Sequence, residues 1–353
     1  MPRMLPDGRR LGAHLPLGRG MVKAVERAHE IGATAIQVFA DNPTAWRRRA
    51  EPPAEDAAFR ARLDELDIRP VAIHAAYLVN LAGPESGFFE RSVGVLASDL
   101  RAAPVFSARF VNVHVGSHRG TGVEAGIARL ADGLALTLAE VDDGPDSAMV
   151  ALENSAGSGF GLGVDLGELA AIAEAVAARG VPSHRVGFCI DVAHAWAAGI
   201  DLSEPGLIDA FLAEFDARIG LDRLVMIHLN DSKSELGSRL DRHEHLGAGQ
   251  IGVPGLRHLL LHPALGPVAY YLETPGMDDG YDAINIARAF DIAAGRPLAD
   301  LPPGAMEVPS GRGRLGPPAD VPPGATAADA PLSDGVDVPA PAVGAGRDPG
   351  TIE

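Results

Sequence analysis

Short apolar runs alternate with amphipathic segments through the first 296 residues of the chain. Eight such runs occur, at 11–15, 35–40, 71–77, 110–116, 149–155, 186–194, 224–231 and 269–275. The segments between them, such as GMVKAVERAHEIG and LGELAAIAEAVAARG, repeat apolar residues at helical spacing, and the second ends at glycine. Strands that alternate with helices favour a parallel sheet, and eight of them in this length favour a closed (β/α)8 TIM barrel. An open doubly wound sheet is the alternative, disfavoured because no GxGxxG or P-loop pattern opens the first unit.

The pattern ends at Pro297. From there to Glu353 the chain is rich in Pro, Gly, Ala and Asp, has no aromatic residue and shows no sustained apolar period. Such a segment buries too little surface to offset its ordering entropy, so we predict a disordered tail. The predicted organisation is therefore a TIM-barrel domain at 1–296 and a disordered Pro/Gly/Ala-rich tail at 297–353.

Amino-acid composition and net charge bear on the location of the protein more than on its function. The formal net charge of −17 argues at first against a polyanionic partner, but about five units lie in the tail, and carboxylates that hold metal cations would reverse the local sign. There is no apolar run of eighteen residues and no apolar stretch typical of a signal peptide at the N-terminus. The single cysteine, Cys189, lies in an apolar run and is expected to be a buried thiol. We expect no membrane association and a cytoplasmic location of the bacterial type, in the cytosol with the nucleoid.

Polar side chains that suit catalysis or metal binding recur at or near the carboxyl ends of the apolar runs. In a barrel these ends converge on one face, where buried imidazoles and carboxylates are unfavourable unless they are paired or bind metal. Nitrogen and oxygen ligands of this kind suit Zn²⁺, Mn²⁺ or Fe²⁺. Viewed singly, Glu153 or Glu273 could instead be a buried acid whose carboxylate is satisfied by hydrogen bonds. The residues are His14, His74, His114, Glu153, Asp191, His194, His228 and Glu273.

A second concentration of such residues follows the seventh run. The stretch IHLNDSKSELGSRLDRHEHLGAGQIG at 227–252 adds two aspartates and two histidines after His228: Asp231, Asp241, His243 and His245. For the histidines away from the run ends, we expect ordinary packing or surface roles. These are His29, His184, His258 and His262.

The motifs that carry these residues resemble those of one enzyme family. GAH, QVFADNPTAW, IHAAYLVNLAGP, NVHVGSH, LENSAGSG, GFCIDVAHAWAAGIDL, DRHEHLGAGQIG and LETP follow one another in the order found in the endonuclease IV family, the metal-dependent apurinic/apyrimidinic endonucleases also called deoxyribonuclease IV. The resemblance extends from about Leu11 to Phe290. It implies a TIM barrel, in agreement with the strand pattern.

The resemblance also implies a trinuclear zinc site, with manganese as a partial substitute. Each of the family's nine ligands has a matching residue type here. The implied ligands are His74 and His114 for one ion, Asp191, His228 and Glu273 for a second, Glu153 between these two, and His194, Asp241 and His243 for the third. Glu153 and Glu273 would also act in catalysis by orienting the attacking hydroxide.

The implied reaction is hydrolysis of the phosphodiester 5′ to an abasic site in double-stranded DNA. It leaves a 3′-hydroxyl and a 5′-deoxyribose phosphate, and the family also trims blocked 3′ ends. Because an abasic sugar has no base to read, such an enzyme must sense deformability and extrude the nucleotide. The implied DNA contacts are Tyr77, Leu78, Asn42 and Trp46, with Lys233, Arg239 and Arg242 on phosphates. We expect the protein to act as a monomer.

The chain departs from the family pattern at positions outside the implied ligand set. The second loop reads NPTAW, so Thr44 stands where an arginine is common between the asparagine and the tryptophan. Ala75 and Pro16 replace an acidic residue and a serine that are also common in the family. We expect these changes to alter DNA binding before they affect catalysis.

Other functions remain as alternatives. Metal-dependent sugar isomerases and epimerases of the xylose isomerase-like group share the barrel, but they have no use for a third-metal arm with Asp241 and His243. A damage-binding protein without activity would not need nine ligand types. A purely structural metal barrel is disfavoured because structural zinc sites are closed sets of four ligands.

Overall fold

Eight parallel strands close into a barrel in the computed structural model, which describes residues 4–144 and 147–308. The hydrogen-bonded order around the barrel joins the first strand to the last, so no edge strand remains among them. In chain order the strands are β1 (Leu11–His14), β2 (Ala35–Val38), β3 (Val71–His74), β4 (Ala108–His114), β5 (Met149–Glu153), β6 (Val186–Asp191), β7 (Leu224–His228), β8 (Asp231–Ser232), β9 (His243–Glu244) and β10 (Ala269–Leu272). The short strands β8 and β9 form a separate antiparallel pair. The predicted TIM barrel is confirmed, and the open doubly wound sheet is excluded.

Helices follow the barrel strands and cover the outside of the barrel. They are α1 (Met21–Glu30), α2 (Asp56–Leu66), α3 (Ser86–Ala102), α4 (Val123–Ala139), α5 (Leu166–Ala178), α6 (Val192–Ala198), α7 (Pro205–Arg218), α8 (Gly252–Leu261) and α9 (Tyr281–Ala294). The start of α5 shows why the sequence begins a helix there: Asp165 accepts the Glu168 amide, and Glu168 reaches back to the Gly163 amide. Within the residues that the structure describes, no helix has the length and apolar character needed to cross a membrane.

Several predicted strands end earlier than their apolar runs. The third run, 71–77, leaves the barrel at His74, and the sixth, 186–194, leaves it at Asp191. The reason at the sixth strand is a helix cap, since the Asp191 carboxylate accepts the backbone N–H of His194 at 2.8 Å and starts α6. His194 therefore lies in the first turn of a helix, not on the strand itself.

The barrel interior is filled by side chains of unequal size. Tyr271 and Phe110 point inward among alanines, and Cys189 completes the same layer, fully buried as predicted. Burial raises the pKa of the Cys189 thiol to about 11, so it is an inert core residue. A side chain at Gly12 would meet the Ala35 carbonyl and the ring of Tyr271, which explains the glycine on β1.

Residues 297–308, here called the C-terminal strap, pack against the barrel. Arg288 on α9 donates to the Ala299 carbonyl at 2.7 Å, and Leu298 packs on the hydrophobic core. Further along, His245 donates to the Ala305 carbonyl at 3.2 Å and Lys233 donates to the Met306 carbonyl at 2.6 Å. Donors on the barrel therefore supply partners for residues 297–308, a segment that has few apolar residues of its own and that the sequence pattern assigned to the tail. The remainder of the predicted tail lies outside the described residues.

A buried carboxylate on α3 lies beneath the loops that follow β2 and β3. Asp99 is 3% exposed, and its Oδ2 atom has no hydrogen-bond partner. Burial raises the pKa of Asp99 to about 7, although the Arg48 guanidinium and the Ala76 amide both oppose the shift and Asp41 adds to it. At pH 5 the folded protein therefore keeps a proton on Asp99 that the unfolded chain has lost.

The contacts of the strap predict that two truncated proteins differ in Tm. Ending the chain at residue 308 should leave the Tm close to that of the full chain. Ending it at residue 296 should lower the Tm by several degrees, because three hydrogen bonds worth about 0.5–1.5 kcal/mol each are lost. Thermal unfolding followed by circular dichroism checks this, and equal Tm values for the two truncations would contradict the role of the strap.

Asp99 predicts a pH-dependent stability difference. The raised pKa stabilises the fold fully below the unfolded value near 4, and this contribution is lost as the pH rises through about 7. Relative to Asp99→Asn, the wild type should lose roughly 1.4 kcal/mol per pH unit within that window. Urea unfolding at pH 5, 6, 7 and 8 measures the difference. Asp132→Asn, which removes a carboxylate from a side chain that is 57% exposed, is the matched control.

Candidate metal centre at the barrel mouth

The strand register brings the predicted site residues to one level at the carboxyl end of the barrel. His114 on β4 lies beside Glu153 on β5, and Asp191 on β6 lies beside His228 on β7. Because all eight strands are parallel, the residues that end them face the same opening. The structure brings all nine implied ligands together there.

The first group of donors surrounds one oxygen of Glu153. The Nε2 atoms of His74 and His114 lie 3.7 and 3.5 Å from Glu153 Oε2. The Nδ1 of His74 lies 2.7 Å from the Ala75 carbonyl, so it carries the proton and leaves Nε2 with a free lone pair. Asn112 donates to the same Glu153 oxygen at 2.5 Å and fixes the carboxylate.

The second group surrounds Nδ1 of His228. This atom lies 3.3 Å from Glu153 Oε1, 3.4 Å from Glu273 Oε2 and 3.8 Å from Asp191 Oδ2. The opposite nitrogen, Nε2, lies 3.0 Å from the side-chain oxygen of Gln37, which orients the ring with Nδ1 toward the carboxylates. Glu153 therefore contributes one oxygen to each of the first two groups.

The third group depends on the loop between β8 and β9, residues 233–242, here called the arm. His194 Nε2 lies 3.3 Å from Asp241, and His243 Nε2 lies 3.2 Å from Asp241 and 3.5 Å from Asp191. Backbone amides in the arm donate to carbonyls of Trp196 and Ala197 on α6, which docks the arm against the helix that carries His194.

Electrostatics at the mouth reflect this crowding. Burial alone would raise the pKa of Glu153, but the imidazoles of His114 and His228 hold it well below its usual range. Burial lowers the pKa of His74 to about 4, whereas the neighbouring carboxylates, overcoming burial, raise the pKa of His243 to about 10. Without metal, protons on imidazoles offset the buried carboxylate charges, and cations bound here would displace those protons.

The donor set fits divalent metal ions. Three groups bring their ligand atoms within 4.8 Å of one another: His74, His114 and Glu153; Glu153, Asp191, His228 and Glu273; and Asp191, His194 and His243. The Nε2 atom of His243 is buried and faces two carboxylates without a well-aligned hydrogen bond to either, as expected for an atom whose natural partner is a cation. Imidazole and carboxylate ligands without cysteine suit zinc or manganese at a site that also admits substrate.

Four amide side chains complete the site, and the sequence analysis missed them. Gln37 donates to Glu273 at 2.6 Å, and Asn112 donates to Glu153. The Asn154 side chain brackets the backbone of Asp191, and Asn230 donates to Asp191 Oδ2 at 2.7 Å while it accepts from the Glu273 amide at 2.8 Å. Each lies within an apolar run or directly beside a proposed ligand, in AIQVF, FVNVH, LENS and IHLND, so a polar residue in these contexts was an available signal.

Two further polar residues of the 227–252 stretch, Asp231 and His245, hold the chain that follows β9. The Asp231 carboxylate accepts backbone N–H groups from Gly247, Gly249 and Ile251, at 2.9–3.1 Å. A side chain at Gly249 would collide with this carboxylate, which explains a glycine within LGAGQIG. His245 is fully buried, accepts from Asn285 and donates to the strap.

The predicted DNA-contacting residues form a rim around the mouth. Tyr77 and Leu78 are half-buried on the loop after β3, and the Tyr77 amide donates to the Pro43 carbonyl of the second loop at 3.1 Å. The Asn42 side chain accepts two hydrogen bonds from Thr44, which closes the turn where the family commonly has arginine. Arg239 and Arg242 are exposed on the arm. Lys233 is also exposed, but its ammonium group is held by the strap.

Trp46 belongs to an exposed aromatic and cationic cluster that the sequence analysis did not identify. Its ring meets Phe88 edge to face at 5.7 Å, and the Arg91 guanidinium lies 4.8 Å from its centroid. Phe88 and Arg91 start α3, so the second and third loops share one rim surface.

The chain matches the family model of xylose isomerase-like TIM barrels over residues 25–292. It is 39% identical over 283 residues to the "Probable endonuclease 4" of Methanoculleus marisnigri, covering 80% of this chain and 98% of that protein. A second "Probable endonuclease 4", from Chloroflexus aggregans, is 38% identical over 79% of this chain and 96% of its own length. The chain belongs to the endonuclease IV family.

Solved structures agree with this family membership. Endonuclease IV from Thermus thermophilus superposes with a TM-score of 0.69 at 37% identity, covering 81% of this chain and 99% of that one. A D-tagatose 3-epimerase-like protein superposes with a TM-score of 0.60 at only 16% identity over 81% of this chain and 98% of that one, which shows a shared fold and no more.

In this member of the endonuclease IV family, we predict that Asn230 helps the barrel mouth to retain metal ions. Asn230→Ala removes the donor to Asp191 and the acceptor for the Glu273 amide, so metal affinity at the mouth should fall by about 10–100-fold. Metal content after dialysis against a weak chelator measures this by mass spectrometry. The control is Asn285→Ala, at an equally buried asparagine that binds His245 instead. Equal metal loss from both variants would contradict a specific role for Asn230.

Proposed function

We propose that this chain is a DNA-repair endonuclease that hydrolyses the phosphodiester 5′ to an abasic site in duplex DNA. The products would be a 3′-hydroxyl and a 5′-deoxyribose phosphate, and the same site would trim blocked 3′ ends. The observation that carries the proposal is the arrangement of nine imidazole and carboxylate donors in overlapping groups at the barrel mouth. The family to which the chain belongs supports the same reaction.

We assign the metal-binding roles as the resemblance implied, with three zinc ions and manganese as a partial substitute. His74 and His114 would hold one ion, Asp191, His228 and Glu273 a second, with Glu153 between them, and His194, Asp241 and His243 the third. Bound divalent ions supply charge neutralisation for the phosphate and a source of hydroxide at neutral pH. The shared position of Glu153 supports its role between the first two ions, since its two oxygens face different groups.

Residues of the chain itself would hold and orient the reactants. Glu153 and Glu273 would orient the attacking hydroxide, and amide donors fix both carboxylates for this role, Asn112 on Glu153 and Gln37 on Glu273. His14 also lies 3.2 Å from Glu273, so the second carboxylate is held from two sides. Precise placement of such groups lowers the barrier by removing the entropy of assembling them during reaction.

Lesion recognition would fall to the rim. Tyr77 and Leu78 would enter the gap left by the missing base, while Asn42 and Trp46 on the second loop would contact the adjoining strand. Arg239 and Arg242 are exposed and free to meet phosphates, and Lys233 would do so after release from the strap. These cationic side chains counter the overall negative charge at the face where DNA would bind.

The arm separates this proposal from the sugar isomerase or epimerase alternative. Enediol chemistry requires a divalent cation and a base, which the first two donor groups alone could provide. The arm adds Asp241, and strand β9, which follows the arm, adds His243. Two further ligands at this place suit a third cation acting on a phosphodiester.

Cleavage of an abasic duplex tests the function. The purified chain should nick a duplex with one abasic site and leave the intact duplex uncut, and a polymerase should extend the new 3′ end. Prolonged chelation should suppress nicking. Glu153→Gln should reduce the rate at least about 100-fold while the protein stays folded.

Glu174→Gln, at an exposed position on α5, is the matched control and should cut like the wild type. Turnover of a ketose or aldose without nicking would favour the isomerase, and near-normal cutting by Glu153→Gln would refute the site assignment.

A further inference from the structure

A second cluster of metal-type donors lies on the outer helices and shares no residue with the barrel mouth. Asp209 on α7 faces two histidines at the end of α8. The Nε2 atom of His258 lies 2.6 Å from Asp209 Oδ1, and Nε2 of His262 lies 3.3 Å from the same oxygen. The ligand atoms of the three residues fall within 4.8 Å of one another. The sequence analysis expected only ordinary roles for both histidines.

Local sequence explains the convergence. His258 and His262 are four residues apart, so they lie one above the other at the end of α8 with ring centroids 5.3 Å apart. Gly255 on α8 has backbone of Leu202 directly against it, where any side chain would collide. This close approach brings α8 against the chain that starts α7, and Asp209 reaches the two imidazoles from there.

The charges around the cluster leave the His262 ring without a proton and able to bind a metal ion. One carboxylate can neutralise only one imidazolium, and two protonated rings at this separation would repel. Burial and the adjacent His258 lower the pKa of His262, so this ring is neutral at physiological pH. The carbonyl end of α8 adds little negative potential, because the Arg9 guanidinium already donates to the Leu260 and Leu261 carbonyls there, and its charge also lowers the pKa of His262.

We propose that Asp209, His258 and His262 form a second, exchangeable site for a divalent transition ion such as Zn²⁺, Ni²⁺ or Cu²⁺. Two imidazole nitrogens and one carboxylate oxygen, with water at the remaining position, make a ligand set that these ions accept. Mg²⁺ and Ca²⁺ prefer oxygen ligands alone and are disfavoured. A bound ion would join α7 to α8.

The site should bind more weakly than the barrel mouth. The Ala264 amide donates to Nδ1 of His262 at 3.3 Å, and ligation through Nε2 would require the proton on Nδ1, so this long hydrogen bond would be lost. Asp209 is also 56% exposed, which lets water compete for its oxygens. We therefore expect a dissociation constant on the order of micromolar, with ready exchange.

Metal counting on the full-length protein tests the site. Protein whose mouth is already loaded is dialysed against buffered free Zn²⁺ across the micromolar range, and bound zinc is counted by mass spectrometry. The wild type should bind about one more ion per chain than the double variant His258→Gln/His262→Gln.

The matched control is His184→Gln. His184 also faces a carboxylate, Asp143, at 3.5 Å, but without a second imidazole, so this variant should bind zinc like the wild type. Equal zinc counts in the wild type and the double variant would overturn the proposal.

A spectroscopic measurement distinguishes the loss of two metal ligands from misfolding of the double variant. One equivalent of Cu²⁺ is added to protein in which zinc occupies the mouth alone. It should give an electron paramagnetic resonance signal with splitting from two imidazole nitrogens. The single variant His262→Gln should reduce this to one nitrogen, and Asp209→Asn should weaken binding about 10-fold with an unchanged circular dichroism spectrum. An identical copper signal in His262→Gln and the wild type would also overturn it. Nicking of an abasic duplex should be the same in all these variants, so this test stands apart from that of the proposed function.

Discussion

The charge of Glu153 is the constraint on which the mouth of the barrel depends. This carboxylate is fully buried where parallel strands converge, and a buried ionised acid is unstable unless positive charge or hydrogen-bond donors surround it. Imidazoles of His114, His194 and His228 provide that environment, and Asn112 supplies a direct donor. The same crowding makes this set of side chains unfavourable as a hydrophobic core and well suited to bind cations. Protons and metal ions compete for the imidazole nitrogens.

Hydrogen bonds hold the arm in place at both ends, because the β8–β9 pair joins the strands that flank it and its own amides bind α6. Beside it, the Asp231 carboxylate accepts backbone amides of Gly247, Gly249 and Ile251 from the chain that follows β9. The C-terminal strap holds the outer side of this assembly through His245 and Lys233. The third donor group therefore rests on elements far apart in the chain, and the strap joins α9 to the segments on either side of β9.

The barrel itself does not decide the activity. A D-tagatose 3-epimerase-like protein shares the fold at 16% identity, and a shared fold does not specify an activity. In this chain the loops at the mouth carry the arm and a rim with aromatic and cationic side chains around Trp46. The outer cluster of Asp209, His258 and His262 lies on helices instead, where a metal ion would bear on stability and not on catalysis.

The alternation of apolar runs determined the barrel, because parallel strands buried on both faces leave a strong local pattern. Polar residues at the ends of those runs, such as His74 and Glu273, were equally visible, since convergence at one face follows from the fold class. Tertiary structure alone decided what depends on distance across the chain. The pairing of Asn230 with Asp191, the docking of residues 297–308 and the meeting of Asp209 with His258 arise from packing between separate elements, and no local pattern of hydrophobicity encodes them.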